Sequence, residues 1–91
     1  SKPLVPAPAE YDPASLADRS AKKAAFIDKR VPVRGRRVLE IGCGRGEVCR
    51  TLAERYQCNT VGVDVSTYKE WANSVPQVQL LQRDLSQDPS D

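Results

Sequence analysis

The feature that most constrains the fold is a cluster of three glycines between a strand pattern and a helix pattern. Residues 37–47 read Arg-Val-Leu-Glu-Ile-Gly-Cys-Gly-Arg-Gly-Glu. Apolar residues before the glycines predict a short buried strand, and those after them recur at three- and four-residue steps, as on one face of a helix. The strand residues are Val38, Leu39 and Ile41, and the helix-face residues are Val48, Cys49, Leu52, Ala53 and Tyr56. Glycines at 42, 44 and 46 allow a tight turn and a close ligand, so this segment predicts the first unit of a nucleotide-binding α/β fold.

Two carboxylates distinguish this turn from a dinucleotide-binding turn. The dinucleotide fingerprint has its third glycine at position 47, where this chain has Glu47, and the strand carries a further acid, Glu40. A carboxylate beside a pyrophosphate is unfavourable, because like charges repel in a partly buried site. It suits a ligand that carries an ammonium and a sulfonium. An NAD-dependent oxidoreductase is therefore disfavoured.

Two further strand patterns follow, and each runs into an acid. Residues 59–64 read Asn-Thr-Val-Gly-Val-Asp, and residues 78–82 read Val-Gln-Leu-Leu-Gln before Arg83 and Asp84. A short helical stretch is predicted between them, from about Tyr68 to about Asn73, with Trp71 in the core or at the edge of a lid. Parallel sheets bind ligands at the carboxyl ends of their strands. Asp64, at such an end, is predicted to accept hydrogen bonds from two ribose hydroxyls.

With Glu40 before the three glycines and acids after the next two strands, residues 36–85 resemble the cofactor-binding half of the class I methyltransferases that depend on S-adenosylmethionine (SAM). The resemblance implies an α/β, Rossmann-like parallel sheet in the order 3-2-1 and methyl transfer from SAM. It also implies cofactor-binding roles for Glu40 near the methionyl ammonium, Asp64 at the ribose and Asp84 at the adenine amine. The remaining cofactor-binding residues that it implies are Gly42, Cys43, Gly44, Gly46, Val65 and Leu85. Cys43 is interpreted as a small packing residue, because the chain has no histidine to activate a nucleophile.

The family has a seven-stranded sheet, of which only strands 3, 2 and 1 are present here. We therefore expect the chain to be a fragment of that fold. Strand 4 of the family lies beside strand 1, so residues 38–41 are expected to form an open edge. That edge would pair with a second copy or with a complementary chain, and the chain alone is expected to be inactive.

Composition excludes several classes of function. The 91 residues carry a net charge of +2 and no histidine, so the chain provides no histidine metal site or histidine acid–base catalysis. Its three cysteines form no Cys-x-x-Cys pair, which argues against a disulfide framework or a zinc site and favours a reducing, cytoplasmic setting. No apolar run is long enough to span a membrane.

The first 35 residues are predicted to form a proline-rich arm and one helix, ahead of the cofactor-binding unit at 36–91. Asp12-Pro13 is a typical helix start, and the helix is expected to run to about Lys29. Its thin apolar stripe comprises Leu16, Ser20, Ala24, Ile27 and Val31. Residues 19–37 hold eight basic residues and one acid. A solvated face is favoured over a nucleic-acid surface, because no aromatic residues are interleaved for base stacking.

Two alternatives share the same half-fold. One is an enzyme similar to the aminopropyltransferases, which would bind decarboxylated SAM. The other is a non-catalytic or split SAM-binding subunit that requires a partner chain.

Overall fold

A computed structural model describes residues 12–73 and 75–86. The elements follow one another as α1 (Pro13–Arg30), β1 (Arg37–Ile41), α2 (Glu47–Tyr56), β2 (Asn59–Asp64), a 3-10 turn (Lys69–Ala72) and β3 (Val78–Gln82). The predicted extended arm, residues 1–10, lies outside the described ranges. None of the described helices combines the length and hydropathy that crossing a membrane requires.

The three strands form one parallel sheet with β2 in the centre. β1 and β3 flank it, which confirms the predicted order 3-2-1. The register aligns Leu39 with Val61 on one side of β2, and Val63 with Leu81 on the other. All three carboxyl ends therefore lie at the same edge of the sheet, which is where the predicted ligand residues cluster.

Helix α1 begins and ends where the sequence predicts. Asp12 caps it by accepting a hydrogen bond from the amide of Ala14 at 3.1 Å, and Pro13 occupies the first helical position. Val31 is its C-cap, and the side chain is 56% exposed, so its predicted place in the apolar stripe is wrong. The chain has already left the helix at Val31, because the following Pro32 disfavours the α conformation there.

The core lies between the two helices and one face of the sheet. Its buried residues are Ala24, Val33, Leu52 and Cys58, and its partly buried members are Ile27, Val38, Val48 and Tyr56. Strand β1 contributes Val38 to this core. The sequence predicted a buried strand at Val38, Leu39 and Ile41, and this is wrong for Leu39 and Ile41, which are 62% and 66% exposed. The physical reason is that α2, with α1 packed against it, lies on the face of the sheet that carries Val38.

Gly62, inside β2, lets the loop after β1 lie directly on the sheet. A Cβ built at Gly62 would lie 2.8 Å from the Cβ of Cys43 and 2.8 Å from a methyl of Leu80. Glycine normally weakens a strand interior, so its presence here is explained by the close approach of the side chains of Cys43 and Leu80. The lack of a side chain at Gly62 thus lets Cys43, in the glycine loop, pack against β2.

We expect Gly62→Ala to lower the free energy of unfolding by about 1–3 kcal/mol, because the added methyl overpacks against Cys43. It should also change the near-ultraviolet circular dichroism of Trp71, whose indole contacts the loop. Gly35→Ala is the control: its methyl meets open space, and its cost comes only from a positive φ of 74°. That control should leave the Trp71 signal intact. A fully stable Gly62→Ala protein with an unchanged signal would contradict this packing.

Candidate functional site

The glycine loop, residues 42–46, is attached to the end of β2. The amides of Gly42 and Cys43 both donate to the carbonyl of Val63, at 2.7 and 3.0 Å. The amide of Gly44 donates to Oδ2 of Asp64 at 2.8 Å. These three hydrogen bonds hold the loop beside the carboxylate that the sequence assigned to the ribose.

The Asp64 carboxylate accepts two backbone hydrogen bonds. Its second oxygen, Oδ1, accepts from the amide of Ser66 at 3.2 Å. The Gly44 amide, and after it the Ser66 amide, lower the pKa of Asp64 below its usual value. Asp64 is therefore ionised at neutral pH and presents a fixed negative charge at the carboxyl end of β2.

Glu40 lies on the helix-covered side of β1, with its side chain only 18% exposed. The thiol of Cys49 donates to its Oε1 at 3.3 Å, and the Lys23 ammonium lies 3.8 Å from its Oε2. Burial raises the pKa of Glu40, although the Cys49 hydrogen bond and the charge of Lys23 act in the opposite direction. The site thus contains a partly desolvated carboxylate that a nearby cation stabilises.

Both cysteines near Glu40 are held as thiols. Burial, and then the charge of Glu40, raise the pKa of Cys49 to about 12. Burial also raises the pKa of Cys43, to which the charges of Glu40 and Asp64 add. Because the thiolate is the reactive form, these raised pKa values argue against a nucleophilic role for either residue.

Two cavities have Gly42 in their linings. One, of about 230 Å³, lies between α1 and the glycine loop; Lys23, Glu40 and Cys43 contribute to its lining. The other, of about 180 Å³, lies at the carboxyl ends of the strands and is lined by Asp64 and mainly by apolar residues. Its lining residues are Ile41, Gly42, Val63, Asp64, Val65, Arg83 and Leu85. A larger cavity of about 520 Å³ at the amino ends of the strands has no carboxylate in its lining.

Most of the residues predicted for the site line one or both of these cavities, but Gly46 and Asp84 line neither. A Cβ at Gly46 would lie 2.9 Å from Leu80, so the missing side chain there serves packing beneath the loop. Asp84 is exposed beyond β3 and accepts hydrogen bonds from the amide and hydroxyl of Ser86, at 3.0 and 2.5 Å. It is absent from the lining of the apolar cavity, whereas its neighbours Arg83 and Leu85 belong to it.

Two residues that contact the site were not predicted to do so. Lys23 was included in the basic segment and interpreted as part of a solvated face, yet it pairs with Glu40. Trp71 was interpreted as a core or lid-edge residue, yet its indole N–H donates to the carbonyl of Gly44 at 2.7 Å. The high density of basic residues in this segment was only a weak indication that Lys23 would contact an acidic residue of the site. No local sequence signal indicates the Trp71 contact.

Glu40→Gln should stabilise the ligand-free protein at neutral pH. Because burial raises the pKa of Glu40, its contribution to stability is fully present below the unfolded pKa of about 4.5 and is lost as pH rises through the folded pKa. Glutamine has no charge to desolvate, so the variant should gain stability relative to the native protein as pH rises. Urea unfolding between about pH 4 and pH 8 measures this difference. Glu54→Gln is the control, because it removes a carboxylate from an exposed position of α2; a trend of equal size there would contradict the role of burial. A constant difference between Glu40→Gln and the native protein across this range would contradict the assignment.

Comparison with protein families gives a match over most of the chain. Residues 16–91 match the family described as FtsJ-like methyltransferase. A search of curated proteins finds no match to this chain.

Proposed function

The chain belongs to the FtsJ-like methyltransferase family, and on that premise we propose that its glycine loop and strand-end carboxylates bind SAM. The observation that carries the proposal is that a cavity lined by Glu40 and an apolar cavity lined by Asp64 share Gly42 of the glycine loop in their linings. In the cavity with Glu40, a carboxylate provides the negative charge that a methionyl ammonium requires. The apolar cavity beside Asp64 suits a ribose and an adenine. The chain then provides the cofactor-binding part of a SAM-dependent methyltransferase.

The glycine loop fits such a ligand. A Cβ at Gly42 or Gly44 would meet nothing within 4 Å, so a ligand can approach the backbone at both positions. SAM carries an electrophilic methyl group on its sulfonium, so the protein's contribution is to bind it, orient it and exclude water.

Asp64 has the hydrogen-bonding capacity that the ribose role requires. An ionised carboxylate offers about four acceptor positions, and backbone amides use one on each oxygen of Asp64. The remaining positions match the two ribose hydroxyls. The low pKa of Asp64 ensures that it acts as an acceptor at neutral pH.

Glu40 is suited to bind the methionyl ammonium. The Lys23 ammonium lies 3.8 Å from the Glu40 carboxylate. A ligand ammonium closer than this would stabilise the ionised carboxylate more strongly and offset more of the cost of its burial. Val65 and Leu85, which are 63% and 58% exposed, offer apolar surface for the adenine ring. Covering them would recover hydrophobic free energy on binding.

We expect Asp64→Ala to weaken binding of S-adenosylhomocysteine more than Asp84→Ala does. Asp64 offers two charge-assisted hydrogen bonds, each contributing about 1.5–3 kcal/mol, whereas Asp84 would bind one neutral amine. Titration calorimetry measures both affinities, with NAD as the control ligand. Equal losses in the two variants would remove the ribose assignment. Tighter binding of NAD than of S-adenosylhomocysteine would overturn the proposed function itself.

We also propose that the edge of β1 pairs with another chain. In the described residues β1 has β2 as its only neighbouring strand, and Leu39 and Ile41 present apolar side chains there. An edge strand presents backbone N–H and C=O groups that pair with another strand, and exposed apolar side chains on it favour the association. When no complementary chain is present, the partner is a second copy.

Sedimentation of the 91-residue chain should therefore show self-association at micromolar concentration. Leu39→Lys should weaken it by roughly 10- to 100-fold, the equivalent of losing one buried leucine. Val31→Lys changes a side chain of similar exposure outside the sheet and should leave association unchanged. A native chain that stays monomeric would contradict the proposal.

A further inference from the structure

Trp71 connects the segment after β2 to the glycine loop. It lies in the 3-10 turn Lys69–Ala72, and its indole N–H donates to the carbonyl of Gly44 at 2.7 Å. The amide of Gly44 donates to Asp64 at 2.8 Å. Asp64, at the end of β2, thus binds the N–H of Gly44, and Trp71, in the segment after β2, binds its C=O.

The segment around Trp71 is itself held against the loop. The carboxylate of Glu70 lies 3.4 Å from Nε of Arg45, and the guanidinium of Arg50 donates to the Glu70 carbonyl at 3.4 Å. The guanidinium of Arg45 lies 5.7 Å from the centre of the Tyr68 ring, which packs against Trp71 with ring centres 6.3 Å apart. These contacts hold the segment that carries the indole against the glycine loop.

A glycine loop without such support has many backbone conformations available, because glycine is the least restricted residue. Only a fraction of them would present Gly42 and Gly44 in the arrangement that lines the two cavities. The apparent dissociation constant of a ligand rises in inverse proportion to that fraction. A side chain that holds one peptide of the loop in place therefore acts on affinity without touching the ligand.

We propose that Trp71 is a positioning residue for cofactor binding, whose indole N–H keeps the Gly44 peptide in its binding conformation. The proposal rests on the function proposed above. Asp64 holds the amide side of Gly44 and Trp71 holds its carbonyl side, so the ribose-binding acid and the loop are fixed as one unit. Trp71 lines neither of the two cavities at the site, which separates this role from direct contact with the ligand.

The sharpest test removes the N–H and preserves the shape of the ring. The chain contains one tryptophan, so replacing tryptophan with β-(3-benzothienyl)alanine exchanges a single N–H for sulfur. The dissociation constant for S-adenosylhomocysteine should rise about two- to twelvefold, the range expected for one neutral hydrogen bond.

Thr60→Val is the matched control, because it removes a hydroxyl that donates to the Cys49 carbonyl at 3.3 Å, away from the loop. It should lower stability and leave the affinity unchanged. An affinity unchanged in the benzothienyl protein, or reduced equally by Thr60→Val, would overturn the role of Trp71.

Hydrogen exchange at the Gly44 amide provides a readout that needs no ligand. Exchange should be faster in the benzothienyl protein than in the native protein, and unchanged in Thr60→Val. If the native protein fails to bind S-adenosylhomocysteine, the proposed function falls, and the exchange of Gly44 still decides whether Trp71 positions the loop. Equal exchange rates in all three proteins would then overturn it.

Discussion

The arrangement of the site depends on the hydrogen bond between the Gly44 amide and the Asp64 carboxylate. Parallel pairing brings the ends of β1 and β2 to one edge of the sheet, and this bond fixes the loop that follows β1 to the acid that ends β2. Gly62 permits the contact, because a side chain there would displace Cys43. A change at any of these positions would weaken the attachment of the loop to its acid, which the hydrogen bonds of Gly42 and Cys43 to Val63 also support.

The partly buried carboxylate of Glu40 lowers the stability of the ligand-free protein, although the proposed ligand needs it for binding. Partial burial raises its pKa and thus penalises the ionised form, which Lys23 and the Cys49 thiol only partly stabilise. A protein without a ligand at this position would be more stable with an uncharged residue. Retaining the acid is explained if a cationic group binds beside it. Destabilising arrangements of this kind are typical of functional sites.

Sequence patterns predicted the parts of the fold that depend on residues close together in the sequence. The Asp12-Pro13 helix start, the glycine turn and the alternation of apolar residues are local signals, and they located α1, α2 and the three parallel strands. Exposure of Leu39 and Ile41 was not predicted, because it depends on which face of the sheet the helices cover. The contacts of Trp71 with Gly44 and of Lys23 with Glu40 join residues 27 and 17 positions apart. Such contacts follow from tertiary packing, and spacing along the chain carries no signal for them.

The most direct test of the central claim is to map amide chemical shifts of the protein during titration with S-adenosylhomocysteine. Binding at the carboxyl edge of the sheet predicts that the amides of Gly42, Gly44 and Val65 shift most. Amides at the opposite edge, such as those of Asn59 and Gln77, should stay in place. Shifts confined to that opposite edge, or none at saturating ligand, would contradict the account.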